Sequence, residues 1–509
     1  MKFIKYSIVC LLLAGTLVNC NEDTINLDPI GDSEASFFQN EMQMNQAVLG
    51  VYQKLNFFYQ WGNDRVLHKI WLLPSDDLTN QGGLPEEIFV SLNGGTGSLS
   101  AYYRFAYQLI ARANIVLEKI EQNGDIAYEK DSELIDFHRG EALFLRAWMF
   151  HRLWNVYGTA PVVIDRIVEL ENAFPPNSTG TELLDQAIED LEAAVNLLPE
   201  SWDAANLGRV TKSSARGLLG KVLVFRGTVS GSASDFDEAV SALSAIQDKS
   251  LMPNFNDNFD SRKENNDESL FEFQANRAPG NANPWVGGGN DAFAVIGEIN
   301  SYYGYFDNRG YGGNSRAFSA TESLKMAFDT LDPRAQYTIN FDDEVHNILK
   351  YVIDSSTTYV PGRAGQGLSQ NNTRILRYAD VLLLEAEAIV RSGGSLQDAI
   401  NLVNQVRDRA RRSNPDGSIS EVPANLEVPA SADEALDLIF EERRIELAAE
   451  EGHRWYDLRR RHLAGEIDLT SWDFSSVRDD FNFQEFNLYF PLPENEVLQN
   501  ANMVQNAGY

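Results

Sequence analysis

Thr181-Glu-Leu-Leu-Asp-Gln-Ala-Ile-Glu-Asp-Leu-Glu-Ala-Ala-Val-Asn-Leu-Leu198 sets the fold class of this chain. Leu184, Ala187, Ile188, Leu191, Ala194, Val195 and Leu198 recur at helical spacing and form one apolar face, which Pro199 ends. Thr179 and Glu182 have the spacing of a capping box at its start. A second helix is expected from Lys212 through Leu218, Leu219, Val222 and Leu223, with Gly227 at its end. A third is expected from about Asp235 through Ala239, Val240, Leu243 and Ile246. Successive short amphipathic helices with alanines at close-packing positions predict an all-α fold, tetratricopeptide-like pairs stacked into a superhelix.

The pattern returns near the C-terminus. Tyr378, Val381, Leu382, Glu385, Ala388 and Ile389 mark one helix. Ser395 with Asp398 caps the next, which carries Leu396, Ala399, Ile400, Val403 and Val406; Ser431 with Glu434 caps a third, through Leu436, Ile439 and Phe440. A mixed-sign cluster follows: Glu441, Glu442, Arg443, Arg444, Glu446, Arg454, Asp457, Arg459 and Arg460. Arginine and carboxylate pair in bidentate fashion, so a structural ion-pair network is expected there rather than a ligand site.

Between the helical regions the composition changes. Residues 276–316 hold 9 Gly, 7 Asn and 7 aromatic residues, a mixture that cannot sustain long helices because glycine costs about 1 kcal/mol per helical position. It suits loops that present flat rings, on which sugar C–H faces stack while Asn, Asp and Arg reach hydroxyls. Trp285, Tyr302, Tyr303 and Tyr305 are the candidate ligand residues here, and Trp61, Asn63 and Arg65 offer the same chemistry in an earlier loop. The other reading of these rings is that they hold an irregular subdomain together.

The start of the chain bears on location. Lys2 and Lys5 precede an apolar run from Ile8 to Val18, which reads as a secretory signal over residues 1–19, too short to span a membrane. Leu17-Val18-Asn19-Cys20 resembles a bacterial lipobox, with Asn19 where a small residue is usual; Cys20 is the expected lipidation site. Cys10 leaves with the signal, so no cysteine pair remains and the body must rely on its core. The formal net charge of −32 disfavours nucleic acid and anionic lipid as main partners.

Motifs for catalysis are sparse: among 6 His there is no His-Glu-x-x-His, and there is no Gly-x-Ser-x-Gly elbow and no P-loop. No catalytic residue and no cofactor is expected. The stretch Asn254-Phe-Asn-Asp-Asn-Phe-Asp260 carries oxygen ligands of the calcium type, but no Glu stands at the twelfth loop position. An Asx-rich turn is therefore expected, with calcium the weaker reading.

Several blocks together resemble one family. They are Phe440-Glu-Glu-Arg-Arg-Ile-Glu-Leu-Ala448, Gly452-His-Arg-Trp-Tyr-Asp-Leu-Arg459, Phe490-Pro-Leu-Pro-Glu-Asn-Glu496 and Gln505-Asn-Ala-Gly-Tyr509. Arg374–Glu387, Val403–Ala410, Glu141–Ala147 with Tyr157, Gly158 and Pro161, Gly208–Lys212 and Arg112-Ala-Asn114 add to them. In this combination the chain resembles the SusD/RagB family of outer-membrane glycan-binding lipoproteins. The resemblance implies a single body over 20–509, with an N-terminal helical part (20–250), a loop-rich part carrying the ligand site (251–373) and C-terminal helices (374–509). It also implies glycan capture at the cell surface, without chemistry, for a SusC-like TonB-dependent transporter. An α-helical glycoside hydrolase or lyase and a protein-binding helical-repeat adaptor are the alternatives.

Overall fold

Capping and apolar periodicity produce the helices of the computed structural model, which describes residues 34, 36–59, 67–80, 83–130, 132–275, 319–342, 346, 348–351 and 371–509. The N-terminal series is α1 (Glu41–Tyr52), α2 (Gly97–Ala127), α3 (Leu134–Tyr157), α4 (Glu182–Leu197), α5 (Lys212–Ser230) and α6 (Ala233–Ser244). The C-terminal series is α7 (Tyr378–Arg391), α8 (Leu396–Arg411), α9 (Ala432–Glu446) and α10 (His453–Leu463). Each of α1 to α6 packs on the next, α7 closes on α5 and α6, and α8 and α9 pack on α7. This is the expected all-α helical-repeat superhelix, with two short antiparallel ladders added.

Two local expectations are corrected. Gly227 lies inside α5, and Gly231, at φ +71, ends the helix. A Cβ on Gly227 would stand 2.9 Å from the Phe236 ring, so the glycine is there to let α6 approach α5. The N-cap of α4 is Thr181 rather than Thr179, although the Glu182 carboxylate does reach back to accept the Thr179 N–H at 2.8 Å. At α8 and α9 the Ser395 and Ser431 hydroxyls accept from the Asp398 and Glu434 N–H groups, as their spacing predicts.

Helix α3 is the centre of the body, because every residue from Gly140 to Tyr157 is buried. A helix buried all round must satisfy its polar side chains internally. Arg146 makes a bidentate pair with Asp190 of α4 at 2.7 and 2.8 Å, Glu141 pairs with Arg209, and Arg152 with Glu451. The mixed-sign C-terminal cluster behaves likewise. Arg443 bridges Asp380 and Asp457, Arg460 holds Glu387 and Asp457, and Glu446 sits among Arg334, Arg377 and Arg409. Arginines around them hold the carboxylates of Glu387, at about 2, and of Glu446 well below the usual range, against the opposing effect of burial. No helix among the described residues is long and apolar enough to cross a membrane.

Candidate ligand-binding site

The site begins with two short strands that are distant in sequence and mix apolar with charged residues. Ser269–Phe273 (β2) and Thr373–Arg377 (β4) pair antiparallel, and all ten of their residues are buried. A fully buried strand pair needs no alternation of polar and apolar residues, and none is present. The earlier pair, Leu78–Thr79 (β1) with Ser319–Ala320 (β3), places Thr79 opposite Ser319.

All seven expected ligand residues, Trp61, Asn63, Arg65, Trp285, Tyr302, Tyr303 and Tyr305, lie outside the described residues, as does Cys20. What the structure supplies is the frame from which their segments depart. Residues 60–66 follow Tyr59, 276–318 follow Ala275, and 352–370 run from Tyr351 to Asn371. These four positions are tied to one end of the β2–β4 ladder. Tyr59 stacks on Phe273 with ring centroids 4.9 Å apart. The Ala275 N–H donates to Asn372 Oδ1 at 2.7 Å, and Asn371 Nδ2 donates to the Tyr351 carbonyl at 3.4 Å. The Tyr351 hydroxyl accepts the Arg374 N–H at 3.2 Å. Tyr351 itself holds φ at +66, a left-handed conformation that a bulky residue keeps only when its surroundings over-determine it.

A polar cluster fixes this end of the ladder. Asn372 Nδ2 donates to Glu272 at 2.8 Å and to Gln274 at 3.0 Å, while Gln274 and Asn265 exchange amide hydrogen bonds at 2.9 Å. Glu264 accepts the Asn372 N–H at 2.7 Å, and burial pushes its carboxyl up to about 7. Tyr59 donates to Glu451 at 2.8 Å; burial, then the Glu451 charge, raise its phenol far above the usual range.

The C-terminal signature holds the same frame from behind. Gly452 has φ +77, and a Cβ there would stand 2.5 Å from the Trp71 carbonyl oxygen; only glycine fits that approach. Arg152, paired with Glu451, lies over the Trp71 ring at 4.2 Å. Arg454 grips Asp76 at 2.7 and 2.8 Å and Arg444 grips Asp77 at 2.8 Å, just before β1. Because β1 pairs with β3, where the chain returns from 276–318, the motif positions the returning end of that segment.

The Asx-rich stretch folds as a turn. Asn254 Oδ1 accepts the Asn256 N–H at 2.9 Å, Asp257 pairs with Lys263, and Asp260 turns onto Arg262. Among the described residues no group of three or more His, Cys, Asp or Glu is placed to hold a metal.

Two family models match the chain: the SusD family over residues 343–509, and a family described as starch-binding and associating with the outer membrane over residues 86–224. Over these two stretches the chain is similar to the SusD/RagB family. A SusD-like protein P2 of Formosa agariphila is 27% identical, covering 99% of this chain and 100% of that one. A SusD-like protein of Bacteroides ovatus is 25% identical over 90% and 82% of the two chains. Among solved structures, a laminarin-binding SusD-like protein superposes with a TM-score of 0.73 at 24% identity, covering 92% of this chain and 100% of that chain. A SusD homolog of Bacteroides thetaiotaomicron gives 0.75 at 20% identity, over 94% and 99%.

The framework residues Tyr59, Phe273, Gln274, Tyr351 and Asn372 escape a reading of the sequence, since none stands in a motif. Their one signal is position: each sits at or just inside the boundary of a loop rich in aromatic, Gly or Asn residues.

Proposed function

We propose that this chain is a SusD/RagB-type cell-surface glycan-binding lipoprotein. It captures oligo- or polysaccharide on the loops carrying Trp61, Asn63, Arg65, Trp285, Tyr302, Tyr303 and Tyr305, and passes it to a SusC-like TonB-dependent transporter. Cys20 carries the lipid that holds it at the outer membrane, and it binds without cleaving. The observation that carries this reading is the convergence of Tyr59, Ala275, Tyr351 and Asn371 on one ladder end, which places the starts of three loop segments around a common frame. The two family matches and a laminarin-binding neighbour of the same fold support a sugar as the ligand.

The physical logic is preorganisation. Anchors locked by stacking and buried amide hydrogen bonds reduce the entropy lost when aromatic loops close on a sugar. The experiment is titration calorimetry of the purified protein against neutral and acidic oligosaccharides, with chromatography of the same samples. Heat of binding without released products is expected; products would make the protein an enzyme, and silence across the panel would remove the glycan reading.

A further inference from the structure

Between α3, α5 and the β2–β4 ladder lies a cavity of about 10 Å³, room for a single water-sized particle. Helix α3 contributes Trp148, His151 and Arg152 to its lining, α5 contributes Lys221, and Phe271 and Ile375 of the ladder are among the apolar residues that close it. Positions 148, 151 and 152 are three and four residues apart, so α3 carries all three on one face.

The polar groups around this cavity are donors. Each of the four side chains is at most 5% exposed. Trp148 Nε1, His151 Nδ1 and Arg152 Nε are buried with no hydrogen-bond partner among the described residues. The tautomer of His151 follows from its neighbours. Arg459 has donors only, so Asn155 turns Oδ1 to it at 2.8 Å and offers its amide nitrogen to His151 Nε2 at 3.0 Å. Nε2 therefore accepts, and in the neutral ring Nδ1 carries the hydrogen. Burial, then the charges of Arg152, Lys221 and Arg459, hold this imidazole well below its usual range, with Asp380 opposing, so the ring is neutral. Lys221 donates to Asp380 at 2.8 Å and lies 3.3 Å from His453 Nδ1, which leaves one ammonium hydrogen uncommitted.

Donors without acceptors select the occupant. A water molecule would accept two of these hydrogen bonds but bring two hydrogens of its own, and no side chain lining the cavity has a free acceptor. Glu451, the partner of Arg152, keeps one unpartnered oxygen, but it is not among the lining residues. A monatomic anion accepts from every donor and brings no hydrogen. Charge points the same way. Arg459 is wholly buried and has no carboxylate partner among the described residues, its hydrogen bonds going to Asn155 and to the Leu488 carbonyl. A buried cation without a counter-ion favours a negative charge nearby.

We infer that this cavity is a halide site, in which one chloride ion accepts hydrogen bonds from Trp148 Nε1, His151 Nδ1, Arg152 Nε and Lys221 Nζ. The ion joins α3 and α5 behind the ladder and, because only the folded chain assembles these donors, it stabilises the fold by mass action. The site does not depend on the glycan loops or on what they bind.

The test uses the purified protein. Crystals soaked in sodium bromide, measured at the bromine absorption edge, should show an anomalous peak within hydrogen-bond distance of His151 Nδ1 and Arg152 Nε. Melting temperatures in sodium chloride and in sodium gluconate at equal ionic strength separate halide binding from screening, since gluconate cannot enter the cavity. Chloride should raise the melting temperature by at least about 1 °C and saturate, and bromide should do the same. Trp148→Phe, which keeps the ring and deletes one donor, should need at least about fivefold more chloride for half of its rise. Absence of the bromine peak, a water refined at this position in bromide-soaked crystals, or coincident melting in chloride and gluconate would overturn the inference. A peak without a melting response would mean binding at crystal concentration only, and would overturn it as well.

Discussion

Gly452→Ala isolates the tie between the C-terminal signature and the ligand frame. At φ +77 any L side chain carries a left-handed penalty of about 1–2 kcal/mol. In addition, the new methyl would lie 2.5 Å from the Trp71 carbonyl oxygen, so that the backbone of the turn Leu67–Leu72 must shift. Forced overpacking of this type adds about 1–3 kcal/mol. Gly417 is the matched control, with φ +76 and nothing within 4 Å of a built Cβ. In urea titrations Gly417→Ala should therefore lose about 1–2 kcal/mol and Gly452→Ala about 2–5 kcal/mol. Only Gly452→Ala should also weaken glycan binding, since Trp71 lies against Phe58 and Tyr59 at the start of the 60–66 segment. Equal losses in the two variants, with glycan affinity unchanged in both, would refute the claim that this glycine is there for the approach to Trp71.

Stability should peak on the acid side of neutrality. Burial raises Glu87, Glu264 and Glu385 to about 7, so their contribution to stability rises as pH falls from 7 towards 4.5, while burial lowers His138 to about 4 and also lowers His151 and His453, an opposing contribution that grows as pH falls below 6.5. Below 4.5 the sign reverses, because Glu387 is held at about 2 and its contribution is lost as it protonates; a melting temperature highest at pH 8 and already falling by pH 6 would contradict this. Glu387→Ala strands the buried Arg460 and should cost about 3–5 kcal/mol in a denaturant titration. Glu200→Ala removes the exposed partner of Lys212 and should cost under about 1 kcal/mol. Asn372→Ala frees the Ala275 N–H, and amide hydrogen exchange at Ala275 should accelerate markedly while that of α4 is unchanged.

The helices were legible because their signals are local. The Ser395–Asp398 and Ser431–Glu434 spacings each imply a cap, and the structure forms both. Gly227 misled because a glycine near the end of a periodic run reads as a stop, whereas its purpose, admitting Phe236, depends on a neighbouring helix. The β2–β4 ladder was invisible for a related reason. Ser269–Phe273 and Thr373–Arg377 are five-residue stretches of mixed polarity without alternation, and nothing in either names its partner about 100 residues away. The arginine–carboxylate cluster was readable as structural from residue type alone, since so many charges within helical reach can be buried only as pairs. For the site, composition pointed to the aromatic segments, but the frame of Tyr59, Phe273, Tyr351 and Asn372 arises from tertiary contacts that sequence spacing does not encode.

The central claim is that segments far apart in sequence share one ligand because their ends are fixed to one ladder. A double-mutant cycle of Trp61→Ala and Trp285→Ala, read by calorimetry with the best-binding oligosaccharide, tests it most directly. The account predicts that each substitution weakens binding and that their effects are coupled by roughly 0.5 kcal/mol or more. Full affinity in either single variant, or strict additivity of the two losses, would contradict it.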